Sequence, residues 1–156
     1  MTFAENVIVM DAGRIVQVGT PKELFERPKT TFVGYFIGAP AMNFFRCERD
    51  GDYSLRFGGN TIMTQTRLTE LSASQLKLGI RSEYIKVVDT IGQNTIPARV
   101  QRVEDLGNHK LVSAVSNELD IKVKVHRDTA IPAEQVHLDL PAENCCVYAD
   151  EILVQN

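Results

Sequence analysis

Past Ala39-Pro40-Ala41 the chain reads almost without pause as short strands broken by glycine turns, and that pattern makes a small, mainly β barrel the fold to expect. The candidate strands are Asn43 to Cys47, Tyr53 to Phe57, Asn60 to Met63, Gln75 to Ile80, Tyr84 to Val88, Thr95 to Glu104, Lys110 to Val115, Glu118 to Val125, Gln135 to Leu140 and Cys146 to Tyr148. Asp50-Gly51, Gly58-Gly59 and Gly107-Asn108 supply turn chemistry between them. Alternation is clearest in Ile121-Lys122-Val123-Lys124-Val125, which has one dry and one wet face and therefore reads as an antiparallel strand.

The stretch before this linker is built differently. Val7, Ile8 and Val9 form a β-branched run, Asp11-Ala12-Gly13 is a turn, and Ile15, Val16 and Val18 resume strand character. Thr20 caps a helix, Pro21 suits its first position, and Glu23 places a carboxylate where the helix dipole favours one, so a helix spans Pro21 to Glu26. Pro28 separates it from a second apolar helix around Thr31 to Ile37, which Gly38 ends. These elements set residues 1–40 apart from residues 41–156. The run Val7 to Val9 is apolar on both faces, which suits a strand inside a larger sheet better than one in a free ribbon.

Composition narrows the function classes. The net charge is -3 and the 17 basic residues are scattered, so there is no electrostatic footprint for nucleic acid. Three cysteines, two of them adjacent at Cys145 and Cys146, form no disulfide framework and no CxxC pair, which points to a reducing, cytoplasmic setting. Neighbours on a strand face opposite ways, so Cys145-Cys146 reads as structural rather than as a redox pair.

No catalytic, cofactor-binding or metal-binding residue emerges. A P-loop needs a Gly-Lys pair among its glycines, and the chain has none. Val7-Ile8-Val9-Met10-Asp11 imitates a Walker B strand, yet Gly13-Arg14 makes it a hairpin turn. Leu71-Ser72-Ala73-Ser74-Gln75 imitates an ABC signature with Ala73 and Ser74 at the glycine positions, and reads more simply as a polar loop. His109, His126 and His137 lie on separate segments, and Glu104 and Asp105 read as strand-end charges. Arg81 and Glu83, two apart, either share a strand face and pair there, or leave the Arg to take a partner's carboxylate. Gly38, Gly79 and Gly107 read as bends and caps.

The segments together resemble the C-terminal part of the ATP-binding subunit of an ABC importer serving maltose, glycerol 3-phosphate and similar solutes. "MTFAENVIVMDAGRIVQVG" resembles the end of the ATPase domain, and "TPKELFERPKTTFVGYFIGAPAMNFF" the helices that lead to the regulatory domain. "LGIRSEY" at Leu78 to Tyr84 and "VEDLGN" at Val103 to Asn108 are similar to motifs of the transport-associated OB-like barrel, although the family usually has Pro at Ser82 and often His at Tyr84. The resemblance implies that the hairpin and helices are left from an α/β ATPase domain, and that ATP and magnesium bind outside this chain. It implies a homodimer, membrane-spanning importer partners reached through the parent ATPase domain, a cytoplasmic regulatory protein, and a place at the inner face of the membrane. On this reading Met42, Asn43, Phe44, Arg81, Glu83, Glu104, Leu106, Gly107 and Asn108 are the candidate regulatory interface. Val7, Ile8, Val9, Ile15, Val16 and Val18 are the candidate oligomerisation edge. The alternative is a stand-alone OB-like module holding a small oxyanion on backbone amides.

Overall fold

The computed structural model describes residues 5–69, 71–72 and 75–155. The chain opens on a hairpin of β1 (Val7–Asp11) and β2 (Arg14–Gly19), followed by α1 (Pro21–Glu26) and α2 (Thr31–Phe36). Ala12 and Gly13 both take positive φ, 49° and 78°, as a two-residue turn requires when it must match the twist of its strands. Thr20 and Glu23 form a reciprocal capping box at α1, and Thr30 caps α2 by accepting from the Val33 amide. Val9, Leu24 and Val33 bury themselves together, so the hairpin's inner face rests on both helices.

Eleven strands follow: β3 (Asn43–Arg49), β4 (Ser54–Phe57), β5 (Asn60–Met63), β6 (Leu76–Ile80), β7 (Lys86–Val88), β8 (Thr95–Asp105), β9 (His109–Ser116), β10 (Leu119–His126), β11 (Gln135–Asp139), β12 (Cys146–Ala149) and β13 (Ile152–Leu153). They pair antiparallel in two sheets, ordered β13-β12-β6-β3-β4-β5 and β10-β9-β8-β11-β7. Both sheets face one core, in which Phe45, Leu78 and Ile80 of the first meet Ile96, Val112, Ile121, Val123 and Leu138 of the second. The mainly β expectation holds, with strand ends shifted by a residue or two: Tyr53 and Tyr84 lie outside their expected strands, and β13 carried no recognisable signal. The signature look-alike cannot be placed, because Ala73 and Ser74 lie outside the described residues.

Asn43 joins the two sheets. It begins β3 opposite Ile80 of β6, and its side chain crosses to the free edge of β10. The carboxamide accepts from the Lys122 amide at 2.9 Å and donates to the Lys122 carbonyl at 2.9 Å and the Ile80 carbonyl at 3.3 Å. An amide side chain thus stands in for a strand neighbour and satisfies an edge that would otherwise be open. Beside it, the Lys124 amide donates to the Ser82 carbonyl at 3.0 Å.

Replacing Asn43 by Ala leaves three backbone groups without their partner, and a stranded buried polar group costs about 1–3 kcal/mol. The expected loss for Asn43→Ala is about 2–4 kcal/mol, seen as a lower midpoint in urea with an unchanged slope; a midpoint equal to wild type refutes the closing role.

Candidate functional site

The residues carrying chemical character converge on a joint where α1 and α2 lie against the outer face of β3, β6 and β12. Along β3 the side chains alternate: Asn43 and Phe45 point inward, while Met42 and Phe44 point outward and pack with Cys146, Tyr148 and Leu153. Phe44 meets Tyr148 edge to face, centroids 5.3 Å apart, and lies 4.7 Å from the Tyr35 ring of α2. The helices come this close because Gly34 and Gly79 have no side chain. A Cβ on Gly79 would stand 2.8 Å from the Tyr148 ring, and one on Gly34 2.5 Å from Phe44. Gly79 is therefore a mid-strand contact, not a bend or cap.

Arg81 is the first residue after β6 and is 1% exposed. Its Nε donates to the Phe25 carbonyl at 2.8 Å, and its Nη1 to the carbonyls of Gly34 at 3.2 Å and Ile37 at 2.6 Å. These are carbonyls of the last turns of α1 and α2, which no intrahelical amide satisfies or which carry the negative end of the helix dipole. One cation thus caps two helices. The guanidinium also stands 4.3 Å over the Phe25 ring, a cation–π contact. Its Nη2 is buried without a hydrogen-bond partner, and burial lowers the Arg81 pKa from the usual arginine value.

The expectation that Arg81 and Glu83 share a strand face is corrected. β6 ends at Ile80, Glu83 is exposed in the following turn, and the Arg turns inward to helix carbonyls. Met42, Asn43, Phe44 and Arg81 are also not a surface for a partner. The helix pair covers Met42, Arg81 and, in part, Phe44, while Asn43 is buried in the seam between the two sheets.

The helices are held at a second point. The Tyr148 hydroxyl donates to the Pro28 carbonyl at 2.7 Å, and burial raises its pKa. The β12–β13 turn reaches α2, where the Thr31 hydroxyl donates to Glu151 and the Thr31 amide to the Glu151 carbonyl. Glu151 also pairs with Lys77 at 2.7 Å, and these bonds hold its carboxyl below the usual range.

The remaining candidates stay at the surface. Glu104, Leu106, Gly107 and Asn108 lie at the end of the β8–β9 ribbon, where Asp105 accepts from the Gly107 amide, Glu104 pairs with Arg102, and Leu106 is half exposed. On the hairpin only Ile8, Ile15 and Val18 of the expected edge face outward, joined by Met10. Val9 points inward, and Val7 and Val16 pack partly against the helices. His109 and His126 are in register across β9 and β10, but among the described residues no group of three or more His, Cys, Asp or Glu could hold a metal. Asp11 ends β1 in an exposed hairpin turn, opposite Arg14. A cleft of about 600 Å³ between β3 and β4 contains Arg46, Glu48 and Arg56, whose charges largely compensate since Arg56 also pairs with Asp50 at 2.6 Å. No helix among the described residues is long and apolar enough to cross a membrane.

Residues 78–147 match the TOBE domain family. The sulfoquinovosyl glycerol transport ATP-binding protein SmoE of Agrobacterium fabrum is 38% identical over 116 residues, covering 72% of this chain and 32% of that protein. The sn-glycerol-3-phosphate import ATP-binding protein UgpC 2 of the same organism is 35% identical over 90% of this chain and 38% of its own length. UgpC of Escherichia coli is 30% identical over 97% of this chain and 43% of its own length. The chain therefore spans between about a third and somewhat over two fifths of these curated relatives. Among solved structures, the cytoplasmic molybdate-binding protein ModG superposes with a TM-score of 0.56 at 13% identity, covering 69% of this chain and 95% of that one, a likeness of fold.

Burial at and around the joint has a direct chemical check. The Cys47 and Cys145 thiols are pushed up to about 12 by burial, and that of Cys146 is raised for the same reason. Only the thiolate attacks a disulfide reagent, so at pH 8 the buried Cys145 and Cys146 should be silent towards Ellman's reagent in the native chain and titrate fully in guanidinium, whereas the half-buried Cys47 reacts slowly. Fast reaction of Cys145 or Cys146 without denaturant contradicts the packing described.

Proposed function

We propose that this chain, which carries a TOBE domain and is homologous over 72–97% of its length to sugar and glycerol-3-phosphate ABC importer ATP-binding subunits, is the non-catalytic regulatory and dimerising part of such a subunit. The observation that carries the reading is the hairpin's two-sidedness. Its inner face is fastened through α1 and α2 to the barrel, while Ile8, Met10, Ile15 and Val18 leave the outer face apolar and open. A two-stranded sheet with such a face is marginal alone and gains by being covered. In the parent protein the ATPase domain would cover it, and the barrel would travel with that domain's end. Regulation then works by differential affinity of a regulator or a second subunit for two arrangements of the ATPase pair. The parent's setting on this reading is the cytoplasmic side of the membrane, beside the membrane-spanning importer subunits, with ATP and magnesium held outside this chain.

A self-contained oxyanion-binding module is the second reading, favoured by the fold likeness to ModG. Residues 1–40 speak against it, since an anion store has no use for a hairpin with an open apolar face.

The chain's absolute mass, followed by light scattering over a hundredfold range of concentration, separates the two. The regulatory reading expects dimers that Ile8→Glu combined with Val18→Lys converts to monomers; a persistent wild-type monomer favours the self-contained module.

A further inference from the structure

The turn that carries Arg81 is tied to both halves of the molecule. Its guanidinium holds carbonyls of both helices, as described above, and the next residue, Ser82, accepts from the Lys124 amide of β10. Asn43, whose neighbours Met42 and Phe44 line the helix face, is bonded to β10 at Lys122. The exposed end of the β8–β9–β10 ribbon therefore lies one strand and one turn away from the cap of two helices.

We propose that Arg81 is a conformational coupler, through which the position of the β10 strand sets the order of α1 and α2: displacing the Arg81–Ile85 turn uncaps both helices together. Each helix is only six residues long, too short to persist without tertiary support. Loss of the cap should therefore be felt along their whole length. The clamp is also incompletely satisfied. Its charge faces carbonyl dipoles and an aromatic ring, one nitrogen is buried unpartnered, and a desolvated cation so placed gains less from staying than a fully paired one. The proposal gives the regulatory reading a route from ribbon to helices. It is testable apart from that reading, because it concerns this chain alone and not its dimerisation.

Hydrogen exchange of the full chain, read by mass spectrometry, tests it with three variants. Arg81→Met removes the cap, and Arg81→Lys keeps the charge but offers a single ammonium where a planar fork is needed. Lys124→Pro removes only the amide that reaches Ser82, on the side of β10 turned away from β9, where proline is tolerated in an edge strand. The expected result is about tenfold faster exchange in residues 20–37 for Arg81→Met, a smaller rise for Arg81→Lys, and protection in β8 and β9 kept in both. Lys124→Pro should also speed exchange in residues 20–37 while β9 keeps its protection. Should Arg81→Met fail to fold, Arg81→Lys and Lys124→Pro carry the test. Exchange that rises equally in all strands reduces Arg81 to a stability residue and overturns the proposal, as does Lys124→Pro with helices exchanging at the wild-type rate.

Discussion

A buried guanidinium with no carboxylate in salt-bridge contact is an expensive group, and the way this chain compensates it organises the rest of the structure. Arg81 is desolvated almost completely, and in exchange it takes three carbonyls of helix ends and the face of Phe25. The stabilisation is mutual, since the carbonyls need a donor and carry the negative ends of two helix dipoles. Two six-residue helices with no strong intrinsic reason to persist are thereby held by a cation supplied from the barrel. The side chains around the cation follow from this. Gly38, at φ 100°, ends α2 in the left-handed region, and a Cβ there would stand 2.9 Å from the Arg81 Nη1.

Much of the architecture was legible because it rests on local rules. The Ala12-Gly13 turn, the Thr20 cap, proline at the start of α1 and the period-two pattern of β10 each need only neighbours in sequence, and each is found where those rules put it. The site was less legible because its bonds span long sequence separations. Nothing local distinguishes an Arg that ends a strand and pairs with the residue two further on from one that turns into a helix terminus fifty residues earlier. Asn43 is similar: only the approach of β10 makes its carboxamide a strand substitute. β13, two residues long, is a strand by its pairing with β12 and by the Leu153 amide's bond to the distant Lys29 carbonyl, and offers no periodicity to read.

Motif resemblance and physical role part company at Met42-Asn43-Phe44. Treated as a recognition sequence, these residues suggest an exposed surface. In the fold, strand alternation sends Asn43 into the barrel seam and its neighbours into the helix joint, so one tripeptide serves two interfaces inside one chain. Similarity identifies residues that matter without saying whether they face a partner or the molecule's own core. Burial decides that question here in favour of the core for Met42, Asn43 and Arg81, while the ribbon end and the hairpin's outer face remain exposed.

The attachments of the helix pair differ in kind: those at Arg81 and at the Tyr148–Pro28 bond are buried, and the one at Glu151 is exposed. Glu151, which holds the start of α2, is exposed, and its pairing with Lys77 is an ion pair that salt and water weaken readily. Arg81, which holds the other end, is sealed beneath Phe25 and makes its bonds where water does not compete. Screening therefore reaches the Glu151–Lys77 pair but not the buried bonds of Arg81 and of Tyr148 to Pro28. Withdrawing Arg81 strands a desolvated charge beside carbonyls that have lost their donor, so the helix pair depends on a group supplied by the barrel.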